Sequence, residues 1–211
     1  MEIKKQRVIA YYDGSNFYHL ANDNFGLKGF NFLTLTKDLL QINEELKLIK
    51  YFTAPVNQQE KPGDAVKQQK FLAYLEKEPL IKVYYGNLVT RNLESIKVHC
   101  NYCKKDVITE DVNCPICARL IDLAYAKKTR EKGVDVKLAI TLMLDAIEDK
   151  YDTALLISSD ADFVPAVEYI IQQKKKKVVY CHFPEPFTSD LVHTCSDTHL
   201  LTKDLLLKHH V

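Results

Sequence analysis

The sequence has no marked excess of charge of either sign. Lys and Arg total 29 and Asp and Glu total 28, so the chain of 211 residues carries almost no net charge. Non-specific binding to nucleic acid depends on a positive electrostatic field. The charge of the whole chain therefore gives no argument for a nucleic-acid partner, and only a local basic patch could supply one.

Long hydrophobic runs are also missing. No apolar stretch approaches the roughly 20 residues that a membrane-spanning helix needs. The first residues, MEIKKQRVIAYYDG, lack the apolar run and cleavage site that mark a secretory signal. We therefore expect a cytoplasmic protein with no membrane partner. In that reducing compartment, metal ligands or free thiols are the expected roles for the six cysteines.

The sequence contains no internal repeat, no long linker and no G-x-G-x-x-G motif after a strand. The last absence argues against a dinucleotide-dependent dehydrogenase. A length of 211 residues suits one large α/β domain, or one such domain with an insert.

The segment 151–164, YDTALLISSDADFV, joins an apolar run, two acids and the start of a helical pattern. The run at 154–157 is typical of a strand buried on both faces of a parallel sheet. Asp160 and Asp162 follow it, at the end of the strand where open α/β sheets bind ligands. Two nearby carboxylates repel each other and suit a hard cation such as Mg²⁺ or Mn²⁺. The alternative is that one of them only caps the helix.

Two further acids have comparable positions. Asp13 follows a strand predicted at 7–12 and precedes Gly14, which permits a tight turn, although DGSN is also a common turn composition. Asp135 opens a helix predicted at 134–147, where the helix dipole alone favours a negative charge. The four acids together predict a cluster that holds divalent ions and supports phosphodiester hydrolysis.

The order of strands and helices predicts how these acids meet. Strands expected at 46–53, 80–88 and 177–181, with helices between them, indicate right-handed crossovers and a mainly parallel sheet of about five strands. If the first strand is central, Asp13 and Asp160 lie side by side where the strand order reverses. The segment 120–132 has helical spacing and a basic end.

Residues 90–119 break this pattern with polar residues and two C-x-x-C pairs. Cys100 and Cys103 form the first pair, and Cys114 and Cys117 form the second. Four thiolates suit one tetrahedral Zn²⁺, and a site closed by four cysteines is structural because no position stays open for water. Reduced thiols without a metal are the alternative. We predict a small zinc ribbon or knuckle inserted in the main domain.

Three motifs together resemble those of the NYN domain, in the LabA-like branch of the PIN-like nuclease superfamily. They are Asp13-Gly14-Ser15-Asn16, Glu131-Lys132-Gly133-Val134-Asp135 and Ser158-Ser159-Asp160-Ala161-Asp162-Phe163. The resemblance covers nearly all of residues 1–211, with 90–119 as an insert. It implies a three-layer α/β/α PIN-like fold and a metal-dependent endoribonuclease that acts on RNA.

The resemblance also assigns roles to individual residues. The implied catalytic carboxylates and Mg²⁺ or Mn²⁺ ligands are Asp13, Asp135, Asp160 and Asp162. Asn16 would orient water or substrate, and Lys132 would contact a phosphate. The basic segment that ends at Lys132 adds Lys128 and Arg130 as expected phosphate contacts.

One position departs from the family pattern. Members often carry another acid where Thr141 stands, and Thr is a poor replacement for a carboxylate ligand. A weakly active or inactive RNA- or protein-binding module is therefore an alternative function. A phosphatase or small-nucleotide hydrolase that uses the same acids is a third. Association into a homo-oligomer or with a protein partner stays open.

Overall fold

The computed structural model describes residues 5–58, 62–92, 96–99, 106–109, 111–113, 119–122 and 127–211. The chain divides into two compact units. One combines Met1–Asn87 with Gly133–Val211, and the other is Leu88–Lys132.

A parallel sheet forms the centre of the first unit. Its strands are β1 (Gln6–Asp13), β2 (Glu44–Thr53), β3 (Ile81–Tyr85), β10 (Thr153–Ile157), β11 (Lys177–His182) and β12 (Asp197–Leu200). Within the described residues the sheet has six strands in the order β12-β11-β10-β1-β2-β3, and all neighbours are parallel. The predicted parallel sheet with a central first strand is confirmed. The strand beyond the expected five is β12, whose sequence DTHL has no apolar run and is exposed throughout.

Helices cover both faces of this sheet. They are α1 (Gly14–Phe25), α2 (Phe32–Asp38), α3 (Pro62–Leu75), α4 (Val134–Ile147), α5 (Val164–Lys174), α6 (Ser189–Thr194) and α7 (Lys203–Lys208). None of the helices in the described ranges is long and apolar enough to cross a bilayer.

The alternation of side chains along β1 accounts for the layers. Successive residues of a strand point to opposite faces. Tyr12 packs in a core with Phe17 of α1 and Leu35 of α2. Tyr11 packs in a second core with Leu138 of α4 and Val167 of α5. The fold therefore has three layers, α/β/α, and agrees with the predicted PIN-like architecture.

Strand β10 is buried along its whole length, as its apolar sequence TALLI predicts. Ala154 and Leu156 belong to the core beneath α4 and α5, whereas Leu155 and Ile157 belong to the opposite core. Burial on both faces is typical of a strand inside a parallel sheet.

The second unit consists of short strands in the part of it that is described. They are β4 (Asn87–Asn92), β5 (Ile96–His99), β6 (Asp106–Thr109), β7 (Asp111–Asn113), β8 (Leu120–Asp122) and β9 (Lys127–Lys132). They pair as β4 with β9, β5 with β6 and β7 with β8.

The helical prediction for 120–132 is wrong, because this segment contains β8 and β9. Strand β9 pairs with β4, and local periodicity contains no information about a partner so distant in sequence. The predicted zinc ligands Cys100, Cys103, Cys114 and Cys117 lie outside the described residues, so the zinc site stays a prediction.

Candidate active site

The carboxyl ends of β1 and β10 lie side by side. The two strands pair in parallel, with Tyr12 opposite Ile157. The sheet continues through β2 and β3 on one side of this pair and through β11 and β12 on the other, so the strand order reverses here. Open α/β sheets bind ligands at such a switch point. Asp13 ends β1, and Ser158 directly follows β10.

Asp13 is fixed through both of its carboxylate oxygens. Oδ1 accepts a hydrogen bond from the Asn16 backbone N–H at 3.1 Å and so caps α1. Oδ2 accepts a hydrogen bond from the Ser158 hydroxyl at 3.0 Å. Only 5% of the residue is exposed. The side chain therefore connects the ends of two adjacent strands and has little freedom to reorient.

The turn after Asp13 requires glycine for a steric reason. A Cβ atom at Gly14 would lie 2.5 Å from the ring of Tyr51 in β2. Any other residue would force either the Tyr51 ring or the start of α1 to move, and the start of α1 carries the backbone N–H that holds Asp13.

Asn16 connects the loop after β1 to the loop after β10. Its Oδ1 accepts a hydrogen bond from the Ser159 N–H at 3.1 Å. Ser158 continues the connection, since its Oγ accepts a hydrogen bond from the Asp160 N–H at 3.3 Å. The hydrogen bond with Ser159 gives Asn16 a role in positioning the loop that carries Asp160 and Asp162. Sequence analysis did not single out either serine, although two hydroxyls between a buried strand and an acid pair were a usable signal.

Asp160 and Asp162 occupy the first turn beyond β10. Asp160 Oδ1 accepts a hydrogen bond from the Asp162 N–H at 2.9 Å and caps a short 3₁₀ helix, Ala161–Phe163. Asp160 therefore does cap a helix, which was the alternative to a metal-binding role, but the cap involves only one of its oxygens. A carboxylate has about four lone-pair sites, so a single cap leaves it able to bind a ligand as well. Asp160 is half-buried and Asp162 is exposed.

Asp135 comes from α4 and interacts with the other acids. It lies in the first turn of the helix, after Gly133 with φ +81°, and is half-buried. Burial raises the pKa of Asp135, and the charges of Asp160 and Asp162 raise it further. The structure therefore brings this acid into the same electrostatic environment as the acids that follow β10.

The pKa of Asp13 is also raised, mainly by burial. The hydrogen bonds from Asn16 and Ser158 oppose this increase, while the charges of Asp135 and Asp160 add to it. Charges from other segments thus raise the pKa values of Asp13 and Asp135, which is the expected effect of like charges in proximity.

These acids fit a hard divalent cation in their chemistry. Carboxylate oxygens are the ligands that Mg²⁺ and Mn²⁺ prefer, and a cation would relieve the repulsion among them. Across the described residues, however, no three His, Cys, Asp or Glu side chains lie close enough together to hold a metal ion. The spacing of the acids is therefore more open than that of a filled coordination sphere.

The predicted phosphate contacts belong to the other unit of the chain. Lys128 and Arg130 lie in β9, and their side chains fall outside the described part of the structure. Lys132 ends β9 and is exposed. All three are in the unit Leu88–Lys132, whereas the acids and Asn16 are in the first unit.

Thr141 uses its hydroxyl within its own helix. Its Oγ1 donates a hydrogen bond to the Lys137 carbonyl at 2.7 Å, one turn earlier in α4. This is a common arrangement for Thr inside a helix. The hydroxyl therefore serves the α4 backbone and does not replace the acid that the family pattern has at this position.

The fold and the site define a PIN-like α/β/α domain with carboxylates gathered at the switch point of its sheet. The chain belongs to the NYN domain family, whose profile matches residues 7–202. This family has a nuclease-like fold of the PIN superfamily.

No curated protein matches the sequence. Among solved structures, the chain is similar to a protein of unknown function from Vibrio parahaemolyticus, with a TM-score of 0.63 and 16% sequence identity. The similarity covers 97% of this chain and 98% of that one. At this identity, the comparison establishes the fold alone.

Proposed function

We propose that this protein is a metal-dependent endoribonuclease that hydrolyses RNA phosphodiester bonds at the acidic cluster. The observation that carries the proposal is the convergence of acids from three segments at the switch point, where the pKa values of Asp13 and Asp135 are raised partly by the other acids. Membership of the NYN family supports a nuclease at a coarse level.

The residues that would hold Mg²⁺ or Mn²⁺ are Asp13, Asp135, Asp160 and Asp162. A bound ion of this kind supplies an acidified water molecule and offsets charge on phosphoryl oxygens. The contribution of the chain is to place the carboxylates. Hydrogen bonds hold Asp13 on both oxygens, and the rigid start of α4 presents Asp135. Fixed ligands lose little freedom when the substrate complex forms.

We assign the substrate contacts to Asn16 and to three basic residues of β9. Asn16 accepts a hydrogen bond through Oδ1, and its amide NH₂ is a suitable donor to a phosphate or a water molecule. Contacts from Lys128, Arg130 and Lys132 to phosphates would make RNA binding weaken as salt concentration rises.

We further propose a structural Zn²⁺ in the insert at 90–119, bound by Cys100, Cys103, Cys114 and Cys117. The spacing of the two cysteine pairs supports this site. A cytoplasmic location, which we propose as well, would keep these thiols reduced. The insert would distinguish this chain as a member of the LabA-like branch with an added zinc motif.

A non-catalytic module that binds RNA or a protein is the second candidate. Two observations favour it. The described acids do not form a closed group of three at metal-binding distance, and the Thr141 hydroxyl is engaged with its own helix. In such a module the acids would be residual, and their replacement would leave function unchanged.

Cleavage of end-labelled RNA in Mn²⁺, Mg²⁺ or EDTA tests the proposal. We expect cleavage by the wild type with either ion, none in EDTA, and none with Asp160→Asn although RNA binding is retained. Glu45→Gln is a matched control. Glu45 is an exposed acid near the amino end of β2, whereas the acidic cluster lies at the carboxyl ends of the strands.

Absence of cleavage by the wild type across single- and double-stranded RNA would overturn the ribonuclease and leave the binding module. Turnover of a small phosphate ester without cleavage of RNA would identify a phosphatase instead.

A further inference from the structure

The loop after β11, residues 183–188, is attached to the acidic site. The Thr188 hydroxyl donates a hydrogen bond to the Ser159 carbonyl. The Tyr180 hydroxyl in β11 donates to Ser159 Oγ at 3.1 Å. Since Ser159 directly precedes Asp160, the loop is bonded to the same turn that carries the acids.

The loop is fixed on both sides of an exposed aromatic ring. On one side, the Asn24 side chain of α1 donates to the Glu185 carbonyl and accepts a hydrogen bond from the Glu185 N–H at 3.3 Å. On the other side, the Thr188 N–H donates to the Tyr180 hydroxyl at 3.2 Å. Phe187 lies between these anchors and is 44% exposed. A ring presented on a fixed loop loses little conformational entropy when a ligand binds.

Phe187 is the outer member of a row of aromatic rings. Its ring centroid lies 5.5 Å from that of His182, and His182 stacks on the buried Tyr180 at 5.0 Å. His182 Nδ1 lies 2.9 Å from the Phe183 carbonyl and must donate to it, because a carbonyl oxygen only accepts. The row therefore runs from the core to the surface and ends in an exposed ring, one residue before the Thr188 that is bonded to Ser159.

We propose that Phe187, supported by His182, is a stacking platform for one base of a single-stranded nucleic acid whose backbone reaches the acidic cluster. The proposal rests on the proposed ribonuclease function and deepens it by naming the strandedness of the substrate. Aromatic side chains bind unpaired bases of any identity by stacking. Bases inside a duplex are already stacked on one another and cannot reach such a ring.

Single exposed aromatic rings are common on protein surfaces. What distinguishes Phe187 is its position on a fixed loop bonded to Ser159. Tyr74 provides the contrast, since it is 51% exposed on α3, which packs beside β3 at the other end of the sheet.

Fluorescence anisotropy of a labelled single-stranded RNA, with the full chain and no added divalent metal ion, tests the platform. We expect Phe187→Ala to bind about tenfold more weakly, which is the order of one lost stacking contact. Its affinity should keep the same dependence on salt concentration, because no phosphate contact is removed. Phe187→Tyr should retain binding, and Tyr74→Ala should bind as the wild type does. Unchanged urea midpoints verify folding.

A series of RNAs with one base removed at a time locates the stacked base. One abasic position should weaken binding to the wild type and have no effect on Phe187→Ala. Equal affinity of Phe187→Ala and the wild type would overturn the platform, and so would a loss that is the same for duplex RNA.

The two proposals fail in different ways. Binding that depends on Phe187 without any cleavage would reject the ribonuclease and keep the platform. Cleavage that is indifferent to Phe187→Ala in both rate and KM would keep the ribonuclease and reject the platform. No binding of RNA by the wild type would overturn the platform.

Discussion

The Ser158 hydroxyl donates a hydrogen bond to Asp13 Oδ2 at 3.0 Å, between residues that are 145 positions apart in the sequence. Both residues are buried, with exposures of 2% and 5%. The bond favours the ionised form of Asp13 and so opposes the increase in pKa that burial causes. The bond would thereby keep this buried acid available as a ligand of the proposed metal ion.

Removing this hydroxyl should weaken metal binding. Ser158→Ala raises the pKa of Asp13 further, so more of this carboxyl stays protonated at mildly acidic pH. We expect the affinity for Mn²⁺ to fall about tenfold, as for other groups that orient a metal ligand. Titration calorimetry at several pH values measures it, and the onset of binding should move to higher pH in the variant.

Ser159→Ala is the matched control for this change, because the Ser159 hydroxyl meets Tyr180 and not an acid. It should bind Mn²⁺ as the wild type does. Equal affinities of Ser158→Ala and the wild type would show that the hydroxyl has only a packing role.

Mn²⁺ should stabilise the folded protein in a pH-dependent way. Carboxylates bind metal only when ionised, and the pKa values of Asp13 and Asp135 are raised from 3.8. The gain in Tm should therefore be present above the raised pKa values and be lost as pH falls through them. At an ion concentration about a hundredfold above Kd, we expect a gain of about 5–10 °C.

Without metal, the same raised pKa values have the opposite consequence. Ionising Asp13 and Asp135 is harder in the folded state than in the unfolded state, so their contribution to stability falls as pH rises through the raised values. Thermal melts over a pH series with and without Mn²⁺ measure both effects. Asp135→Asn should reduce the gain from Mn²⁺, and a gain equal to that of the wild type would exclude Asp135 as a ligand.

Local sequence signals were sufficient to predict the central strands of the sheet. The fully apolar run of β10, followed by acids and a helical pattern, identified a buried strand at the edge where ligands bind. Strand β12 carries no such signal, because its four residues are exposed and it is defined by pairing with β11. Strand β9 likewise depends on β4, a partner outside any local window.

The positions of the acids could be read from motifs, but the contacts that hold them could not. Ser158 reaches Asp13, and Ser159 reaches Asn16, only because β1 and β10 pair in one particular register. Register between strands 145 positions apart is a tertiary property. The engagement of Thr141 with Lys137 is local, yet Thr alone does not reveal which way its hydroxyl turns.

A buried ion pair lies between β2 and α4. Lys50 contacts Asp145, and their side chains are only 6% and 2% exposed. The Tyr11 hydroxyl donates to Asp145 Oδ2 at 2.6 Å, and Lys150 lies 3.2 Å from Oδ1. This network joins the central strand, its neighbour and the helix that carries Asp135.

Replacing the acidic member of this pair, Asp145, should destabilise the fold strongly. Asp145→Asn leaves the Lys50 ammonium buried without an anion, and we expect the free energy of unfolding to fall by about 3 kcal/mol. Lys50→Met should have a smaller effect, because Asp145 keeps Tyr11 and Lys150. Urea unfolding followed by circular dichroism measures both.

The exposed pair of Lys47 and Glu45, at 2.8 Å, supplies the control for this experiment. Glu45→Gln should leave the unfolding free energy almost unchanged, because exposed ion pairs contribute little to stability. A similarly small change for Asp145→Asn would mean that water reaches Lys50 and that the pair is not truly buried.

The cysteine pairs give a prediction that depends on the sequence alone. Cys100→Ser combined with Cys117→Ser removes one thiolate from each pair, and the protein should lose about one bound Zn²⁺ per chain. Metal analysis of protein prepared without chelator measures this loss. Cys195→Ser is the control, since Cys195 is a free thiol in the first unit and should leave the zinc content unchanged.

Loss of zinc should unfold mainly the insert at 90–119. The proposed ion would cross-link the two cysteine pairs of the insert, whereas the first unit has large apolar cores of its own. The double variant should therefore keep the main unfolding transition of the wild type while the segment 90–119 becomes sensitive to proteases. Purified wild type without zinc would refute the metal site, and collapse of the main transition would show that the stability of the first unit depends on the insert.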